Sequence, residues 1–255
     1  MGSTRIRFYQ THNGPCPYRS SGDWNNLAFQ TQILSEDAYG SLLDLGFRRS
    51  GFSVYHPICS GCSSCIPIRV RTDTFKPSKS QRRTWQKNQD LRVEHHPPAF
   101  CQPGFELYSK YQQNWHQCGT PVTESDYLDF LIHSPVKTEM LYYYDQERLL
   151  AVGWIDILPK MLSSVYFIFD PDEATRRLGI FSLLYEIEYA SRLEKPWLYL
   201  GYWVEDSQKM SYKSDFQPAE LLFNKKWVPF HQHPELLASQ DVFLFSCTLV
   251  LLYNL

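Results

Sequence analysis

In the C-terminal half of the chain the apolar residues run first at the spacing of strands and then at the spacing of a helix. Glu139 to Tyr144, Leu149 to Ile157 and Ser164 to Phe169 are dense in Tyr, Val, Ile and Phe. With Asp145-Gln146-Glu147-Arg148 as a reverse turn between the first two, they predict an antiparallel meander. From about Leu178 to Arg192 the period lengthens, and Ile180, Leu183, Leu184 and Ile187 predict one long helix with a buried face. Trp197 to Trp203 predicts a buried strand. Ala219 to Trp227 and the apolar tail from Val242 to Tyr253 offer final strand or edge elements. Three strands, a helix and a strand follow the order of an acetyltransferase-like core.

The first 70 residues carry weaker patterning. Gly14-Pro15-Cys16-Pro17, Ser20-Ser21-Gly22-Asp23 and Ser60-Gly61 are turn signals, and the segment reads as irregular apart from two elements. Ser35-Glu36-Asp37-Ala38 opens a helix that ends at Gly46, and Ile66 to Arg71 alternates as a short strand. Ser78 or Ser80 then caps a basic helix through Leu91, and Phe105 to His116 and Glu124 to His133 predict two more helices. The expected fold is α+β: an acetyltransferase-like (GNAT) core with an antiparallel or mixed sheet, and an N-terminal Cys-rich α/β region. The expected divisions are residues 1–75, a basic helix and linker at 76–100, and a catalytic domain at 101–255.

Composition narrows the class. The 255 residues are 43% hydrophobic and 20% charged, enough to bury a core, and the net charge of −2 announces no global field for nucleic acid. Any RNA contact must therefore be local. The aromatic share of 16% reads first as packing, since base stacking needs a basic groove beside it. The N-terminus carries no apolar stretch of the secretory kind, and Ile6 stands where myristoylation wants Ser or Thr. Val242 to Tyr253 is too short to span a bilayer. The expected place is the cytoplasm, with no membrane partner.

Seven cysteines without an export signal point to reduced thiols or metal ligation. Cys59-Ser60-Gly61-Cys62-Ser63-Ser64-Cys65 brings three thiols onto one loop, and Cys16 offers a fourth. That spacing suits zinc or an iron–sulfur cluster, with redox thiols or a metal-free loop as alternatives. Lys76, Lys79, Arg82, Arg83 and Lys87 form a basic run whose helical spacing stacks them on one side, fit for phosphates or a carboxylate clamp, or simply for solvent. Arg176-Arg177-Leu178-Gly179-Ile180-Phe181 partly matches the R/Q-x-x-G-x-G/A turn that cradles pyrophosphate in acyl-CoA N-acetyltransferases. Phe181 stands where Gly or Ala would admit phosphate, so a CoA site is compromised. Finally, Trp203 runs into a polar loop with Lys209, Tyr212 and Lys213, where a binding edge is expected.

Taken in order, Cys16-Pro17-Tyr18, Gly46 to Gly51, Cys59 to Cys65, Phe75 to Arg83, Tyr166 to Pro171, Leu178-Gly179 and Leu200-Gly201-Tyr202 through Lys209-Met210-Ser211-Tyr212-Lys213 resemble the successive blocks of the aminoacyl-tRNA–protein transferases, the bacterial aspartate/glutamate leucyltransferases and their arginyltransferase relatives. Ser207-Gln208 and Trp203 depart from the usual pattern. The resemblance implies an enzyme of N-degron tagging whose partners are aminoacyl-tRNA and proteins that begin with Asp or Glu, with leucine favoured over arginine as the donor and no cofactor required for transfer.

The reaction needs a neutral amine, an aligned ester, a stabilised oxyanion and a protonated leaving oxygen. On that basis Asp170 is the expected base or amine-orienting group, with Tyr202 and Tyr212 to orient the ester or donate a proton. Arg82 and Arg83 are expected to hold the acceptor carboxylate. Lys76, Lys79, Lys209 and Lys213 are expected at the tRNA acceptor end, with Tyr166 and Glu186 in the aminoacyl pocket. Cys16, Cys59, Cys62 and Cys65 are the expected metal ligands. Two other classes stay open: a CoA-dependent N-acetyltransferase on the same frame, and a non-catalytic, cluster-bearing RNA-binding module.

Overall fold

The computed structural model describes residues 6–115 and 120–232. The tail from Val242 to Tyr253, Cys118, Cys247 and the expected helix end at His116 lie outside the described residues. Strands β1 (Tyr9–Pro15), β2 (Asp23–Gln30), β3 (Arg48–Ser50) and β4 (Ser53–Pro57) form an antiparallel sheet in the order β1-β2-β4-β3. This sheet is the main departure from the expected irregular N-terminal segment. Its first strand is largely exposed and polar, so the two-residue alternation that betrays a half-buried strand is missing.

The larger sheet has eight strands. They are β5 (Ile66–Arg71), β6 (Arg92–His96), β7 (Thr138–Asp145), β8 (Arg148–Leu158), β9 (Met161–Phe169), β10 (Trp197–Trp203), β11 (Ala219–Phe223) and β12 (Lys226–Pro229), in the order β12-β11-β5-β10-β9-β8-β7-β6. β9 and β10 run parallel and the other neighbours antiparallel, so the protein is a mixed α/β structure with one antiparallel and one mixed sheet. β5, expected within the Cys-rich region, is an interior strand here, between β11 and β10.

The helices are α1 (Glu36–Asp44), α2 (Lys79–Lys87), α3 (Gln102–Trp115), the single turn α4 (Glu124–Tyr127), continued by a π-turn at Leu128–Ile132, and α5 (Leu178–Arg192). Ser35 caps α1 by accepting from Ala38 N, and Ser78 closes a capping box on α2 with Gln81. Alternation along β7 and β8 sorts side chains to opposite faces. Leu141, Tyr143, Ala151 and Ile155 pack with α5, while Met140, Tyr142, Val152 and Trp154 pack with α3 and α4. A third cluster joins Tyr39, Leu42 and Leu43 of α1 to Phe29 and Val54 of the small sheet and to Leu158 and Met161 at the β8–β9 turn. Parallel strands need a long crossover, and α5 supplies it between β9 and β10.

Contacts at β3 and the turn after it help to fix the small sheet to the rest of the protein. Arg49 of β3 forms a bidentate ion pair with Asp156 of β8, Nε and Nη2 lying 2.8 and 2.6 Å from the two carboxylate oxygens, both side chains fully buried. Gly51 sits at φ +56°, with its N–H bonded to Phe130 O, and any Cβ there would lie 1.9 Å from Asp129 O.

Candidate active site

β9 and β10 stay paired only from Trp197–Met161 to Tyr199–Ser163, after which they part. A bulge in β9 begins the divergence: Trp154 faces Tyr166 and Ile155 faces Ser164, leaving Val165 as the extra residue. Three charged side chains from three elements meet where the strands part. Arg48 reaches in from β3, donating from Nη1 to Ser163 Oγ at 3.0 Å and from Nη2 to Ser164 O. It packs against Gly201, whose φ of +84° favours glycine and where a Cβ would stand in ordinary contact, 3.5 Å from Arg48 Nε. Glu186, on α5, is 1% exposed; Ser182 Oγ donates to its Oε1 at 3.1 Å, and Oε2 has no hydrogen-bond partner. Burial pushes its carboxyl up to about 7, against the opposing pull of Ser164, Ser182 and Arg48.

Lys213 belongs to a short 3-10 turn at Ser211–Asp215 and is also buried, Nζ donating to Tyr202 O at 2.7 Å. Burial, with Arg48 adding to it, pushes its ammonium down to about 7, while Cys65 pulls the other way. Arg48 thus bears on both Glu186 and Lys213, two buried groups whose protonation burial shifts toward neutral pH. Tyr212 lies close enough for Glu186 to add to the burial that pushes its phenol up to about 12.

The expected site residues distribute unevenly around this centre. Glu186, Tyr212, Tyr202 and Lys213 come together there. Tyr202 is committed, donating to Gly46 O at 2.8 Å, and burial holds its phenol well above the ordinary range. Lys213 points inward and is no surface contact for tRNA. Tyr166 accepts from Gln112 Nε2 at 3.1 Å and packs edge-on against Phe130. Asp170 has another job: it caps the 3-10 turn Pro171–Arg176 by accepting from Asp172 N, and it receives Lys110 Nζ at 2.6 Å. Burial alone would raise its carboxyl, but the Lys110 and Asp172 bonds outweigh it and hold the group below the usual range. A carboxylate so tightly held is a poor base near neutral pH.

Lys76, Lys79, Arg82, Arg83 and Lys87 are all exposed, while Gln81, Thr84 and Asn88 face inward, so α2 does present a basic side. Arg82 Nη1 is turned back to Pro77 O, and Lys87 Nζ bonds Thr175 O. Lys209 is exposed on the loop after β10. The turn that might have cradled a pyrophosphate is covered by α2. Asn88 Nδ2 donates to Arg176 O, Arg177 donates to Ser80 Oγ, and Trp85 packs on Phe181 at 5.3 Å between ring centres. Arg176 itself is spent on Asp90, with two bonds of 3.0 and 2.9 Å.

Comparison with known proteins fits this geometry. The family description "Arginine-tRNA-protein transferase, N terminus" matches residues 14–83, and its C-terminal counterpart matches residues 104–223. The chain is 36% identical over 230 residues to the aspartate/glutamate leucyltransferase of Pseudomonas syringae pv. syringae, covering 89% of this chain and 98% of the relative. It is 40% identical over 228 residues to that of Teredinibacter turnerae, covering 88% and 94%. The chain belongs to the aminoacyl-tRNA–protein transferase family. Among solved structures, FemX aligns with a TM-score of 0.45 and 8% identity over 80% of this chain and 81% of that one, a likeness too loose to carry an argument.

In this transferase Cys16, Cys59, Cys62 and Cys65 line one cleft with Tyr18, Arg19 and Val204. Burial and the three neighbouring thiols push Cys65 up to about 12, with Lys213 opposing. Among the described residues no three such groups stand in metal-ligating array. Arg48 is the buried charged residue of this centre that the sequence reading did not single out. It stood inside the quoted Gly46–Gly51 block, but nothing in a local pattern says that a strand arginine will turn inward and cross to a second sheet.

Proposed function

We propose that this transferase moves leucine from leucyl-tRNA to the α-amine of proteins that begin with Asp or Glu, marking them for degradation by an N-degron route in the cytoplasm. As a family member it carries an amino acid from charged tRNA to a protein N-terminus; leucine and the acidic acceptors are the reading its curated relatives' names support. The observation that supports the site is the buried Glu186, whose Oε2 has no hydrogen-bond partner among the described residues, within the field of Arg48 and near Tyr212. The donor ester is already activated, so transfer itself calls for no cofactor. The amine nitrogen bonds to the ester carbonyl carbon, and the bond from that carbon to the ribose oxygen breaks. The proton lost by the amine passes to Glu186, and one returns to the leaving oxygen through Tyr212. An α-amine with a pKa of ~8 needs only a modest base, which a carboxyl near 7 provides.

We read the larger sheet with α5 as an acetyltransferase-like core whose acyl donor has changed. α2 covering the former phosphate turn supports that reading over a CoA enzyme. The direct test is to incubate the protein with charged tRNA mixtures and a Glu-starting peptide and to read the mass added. A leucine increment is expected; an acetyl increment from acetyl-CoA, or none from any donor, would overturn the proposal.

The exposed basic side of α2 is proposed as a recognition surface, Lys76 and Lys79 meeting phosphate with Lys209, and Arg82 or Arg83 clamping the acceptor's acidic side chain. Lys79→Ala is expected to weaken tRNA binding and flatten its salt dependence by roughly 0.7–0.9 log units per log of salt. Arg83→Ala is expected to spare tRNA binding and to cost roughly tenfold to a hundredfold in use of the Glu-starting peptide, the weight of one charge-assisted contact. Equal salt slopes for the two variants would contradict this division of labour.

The four clustered cysteines are proposed to hold zinc or an iron–sulfur cluster. Four thiols sharing one cleft are a soft donor set, and a bound cation would favour the Cys65 thiolate that burial and the neighbouring thiols now oppose. Such a site would tie the Cys59 loop to β2 and add to stability. Anaerobically purified protein is expected to contain stoichiometric metal, and Cys62→Ser to lower it. Full activity in metal-free protein would remove the site from the function.

A further inference from the structure

The parting of β9 and β10 is built from two sheets, and one residue of the small sheet enters it. β10 and β9 are in register up to Tyr199 and Ser163. The next carbonyl along β9, that of Ser164, is taken by Arg48 Nη2, and the hydroxyl of Ser163 is taken by Arg48 Nη1. On the β10 side the guanidinium packs against Gly201, whose Cβ position would lie 3.5 to 3.7 Å from three guanidinium atoms. A strand pair that could have continued is therefore interrupted by a charged, planar group from β3. β3 is itself fixed to β8 by the neighbouring Arg49–Asp156 pair, so the guanidinium is supplied from a rigid base.

We propose that Arg48 is a positioning residue for the transfer reaction: it holds β9 and β10 apart and presents Glu186 to the substrates in the opening, so that the small N-terminal sheet completes the reaction centre. This rests on the opening between β9 and β10 being the reaction site. Three features support it. Arg48 is buried, and among the described residues it donates to the Ser163 hydroxyl and the Ser164 carbonyl, neither a carboxylate, so its charge is left for Glu186 and for a developing oxyanion. It lowers the Glu186 pKa against the effect of burial. Around Glu186 the other titratable neighbours are Tyr143 of β7 and Tyr212 of the 3-10 turn, both phenols that burial keeps neutral, and the hydroxyls of Ser164 and Ser182 complete its surroundings. Arg48 is the charged group that acts on it.

The test uses full-length Arg48→Gln, Arg48→Lys and Ser163→Ala, assayed with leucyl-tRNA and a Glu-starting peptide. Arg48→Gln is expected to lower kcat roughly tenfold to a hundredfold, the equivalent of one charge-assisted contact, with KM for tRNA within about threefold of wild type. Loss of the positive charge raises the Glu186 pKa, so the acid limb of the kcat profile should move to higher pH. Arg48→Lys, which keeps the charge, should bring the limb back and recover part of kcat. A merely structural residue would not move the limb.

Should Arg48→Gln fail to fold, Ser163→Ala removes one acceptor of the guanidinium and is expected to lower kcat several-fold in a folded protein; unchanged kcat there would overturn the proposal. So would a folded Arg48→Gln with kcat within threefold and an unmoved limb. Crystal structures of wild type and variant give a readout independent of the donor. β10 closing onto Ser164, or Glu186 displaced, supports the role, and an unchanged opening overturns it. If wild type moves no leucine, the proposed function fails while this comparison still decides the role of Arg48.

Discussion

Glu186→Gln is expected to reduce leucyl transfer about a hundredfold or more at pH 8, the usual weight of a general base, while leaving the protein at least as stable as wild type. The two effects come from one cause. A carboxyl raised from an ordinary 4.5 to about 7 in the folded protein binds its proton more tightly there than in the unfolded chain. Below the unfolded pKa both states are protonated and nothing is lost. As pH rises from 4.5 through about 7 the folded state is progressively penalised, and above that the penalty is constant at roughly 3 kcal/mol. Gln keeps the amide oxygen for Ser182 and carries no charge, so it escapes most of that cost. The wild-type kcat/KM should rise with an apparent pKa near 7, and the variant should lose that limb while retaining the rise due to the acceptor amine. Urea unfolding at pH 5 and pH 8, beside initial rates across the same range, makes the measurement. A variant that stays active within threefold would return the search for the base to Lys213.

Arg49→Ala is expected to cost about 3–5 kcal/mol of stability, read by chemical denaturation, and to lower the thermal midpoint by roughly 10 °C. Burial by itself would lower the Arg49 pKa, but Asp156 overrides it and keeps the guanidinium charged. Thr138 Oγ1 completes the network, accepting from Arg49 Nη2 at 3.0 Å and donating to Asp156 Oδ1 at 2.7 Å. Truncating Arg49 leaves Asp156 charged, fully buried and short of two bonds. Arg49→Met with Asp156→Leu should be milder than either single charge deletion, since two apolar side chains leave no orphaned charge. A loss below 1 kcal/mol for Arg49→Ala would mean that water reaches Asp156 and that the sheets are held by other contacts. Because Arg48 is the adjacent residue, partial unfolding of β3 should also remove activity before the larger sheet melts.

Much of the larger sheet could be read from the chain because its signals are local. The helix expected from about Leu178 to Arg192 and the strand expected over Trp197–Trp203 are both present, Ser35 caps α1, and of Ser78 and Ser80 it is Ser78 that caps α2. The basic side of α2 also followed from spacing, and Cys16, offered as a fourth thiol beside the closely spaced Cys59, Cys62 and Cys65, lines the same cleft. The small sheet did not follow from spacing, since its largely exposed first strand carries no alternation of apolar and polar residues and is held to β2 by long-range backbone pairing.

Within the site the same boundary applies. Residue type and position made Tyr212 and Lys213 candidates, the blocks of sequence resembled those of the aminoacyl-tRNA–protein transferases, and with that resemblance Glu186 was expected in the aminoacyl pocket. Only the tertiary structure decided what each could do. Asp170, exposed to reason as a carboxylate at a strand end, is tied to Lys110 from a helix sixty residues earlier. Lys213, a surface cation by its polar loop, is turned inward and loses its charge near neutral pH. Arg48, one of a pair of strand arginines, fills the opening between β9 and β10. In each case the deciding quantity is burial or a charge partner distant in sequence. A pKa is set by the field of whatever packs around the group, and that information arises only when separate segments meet.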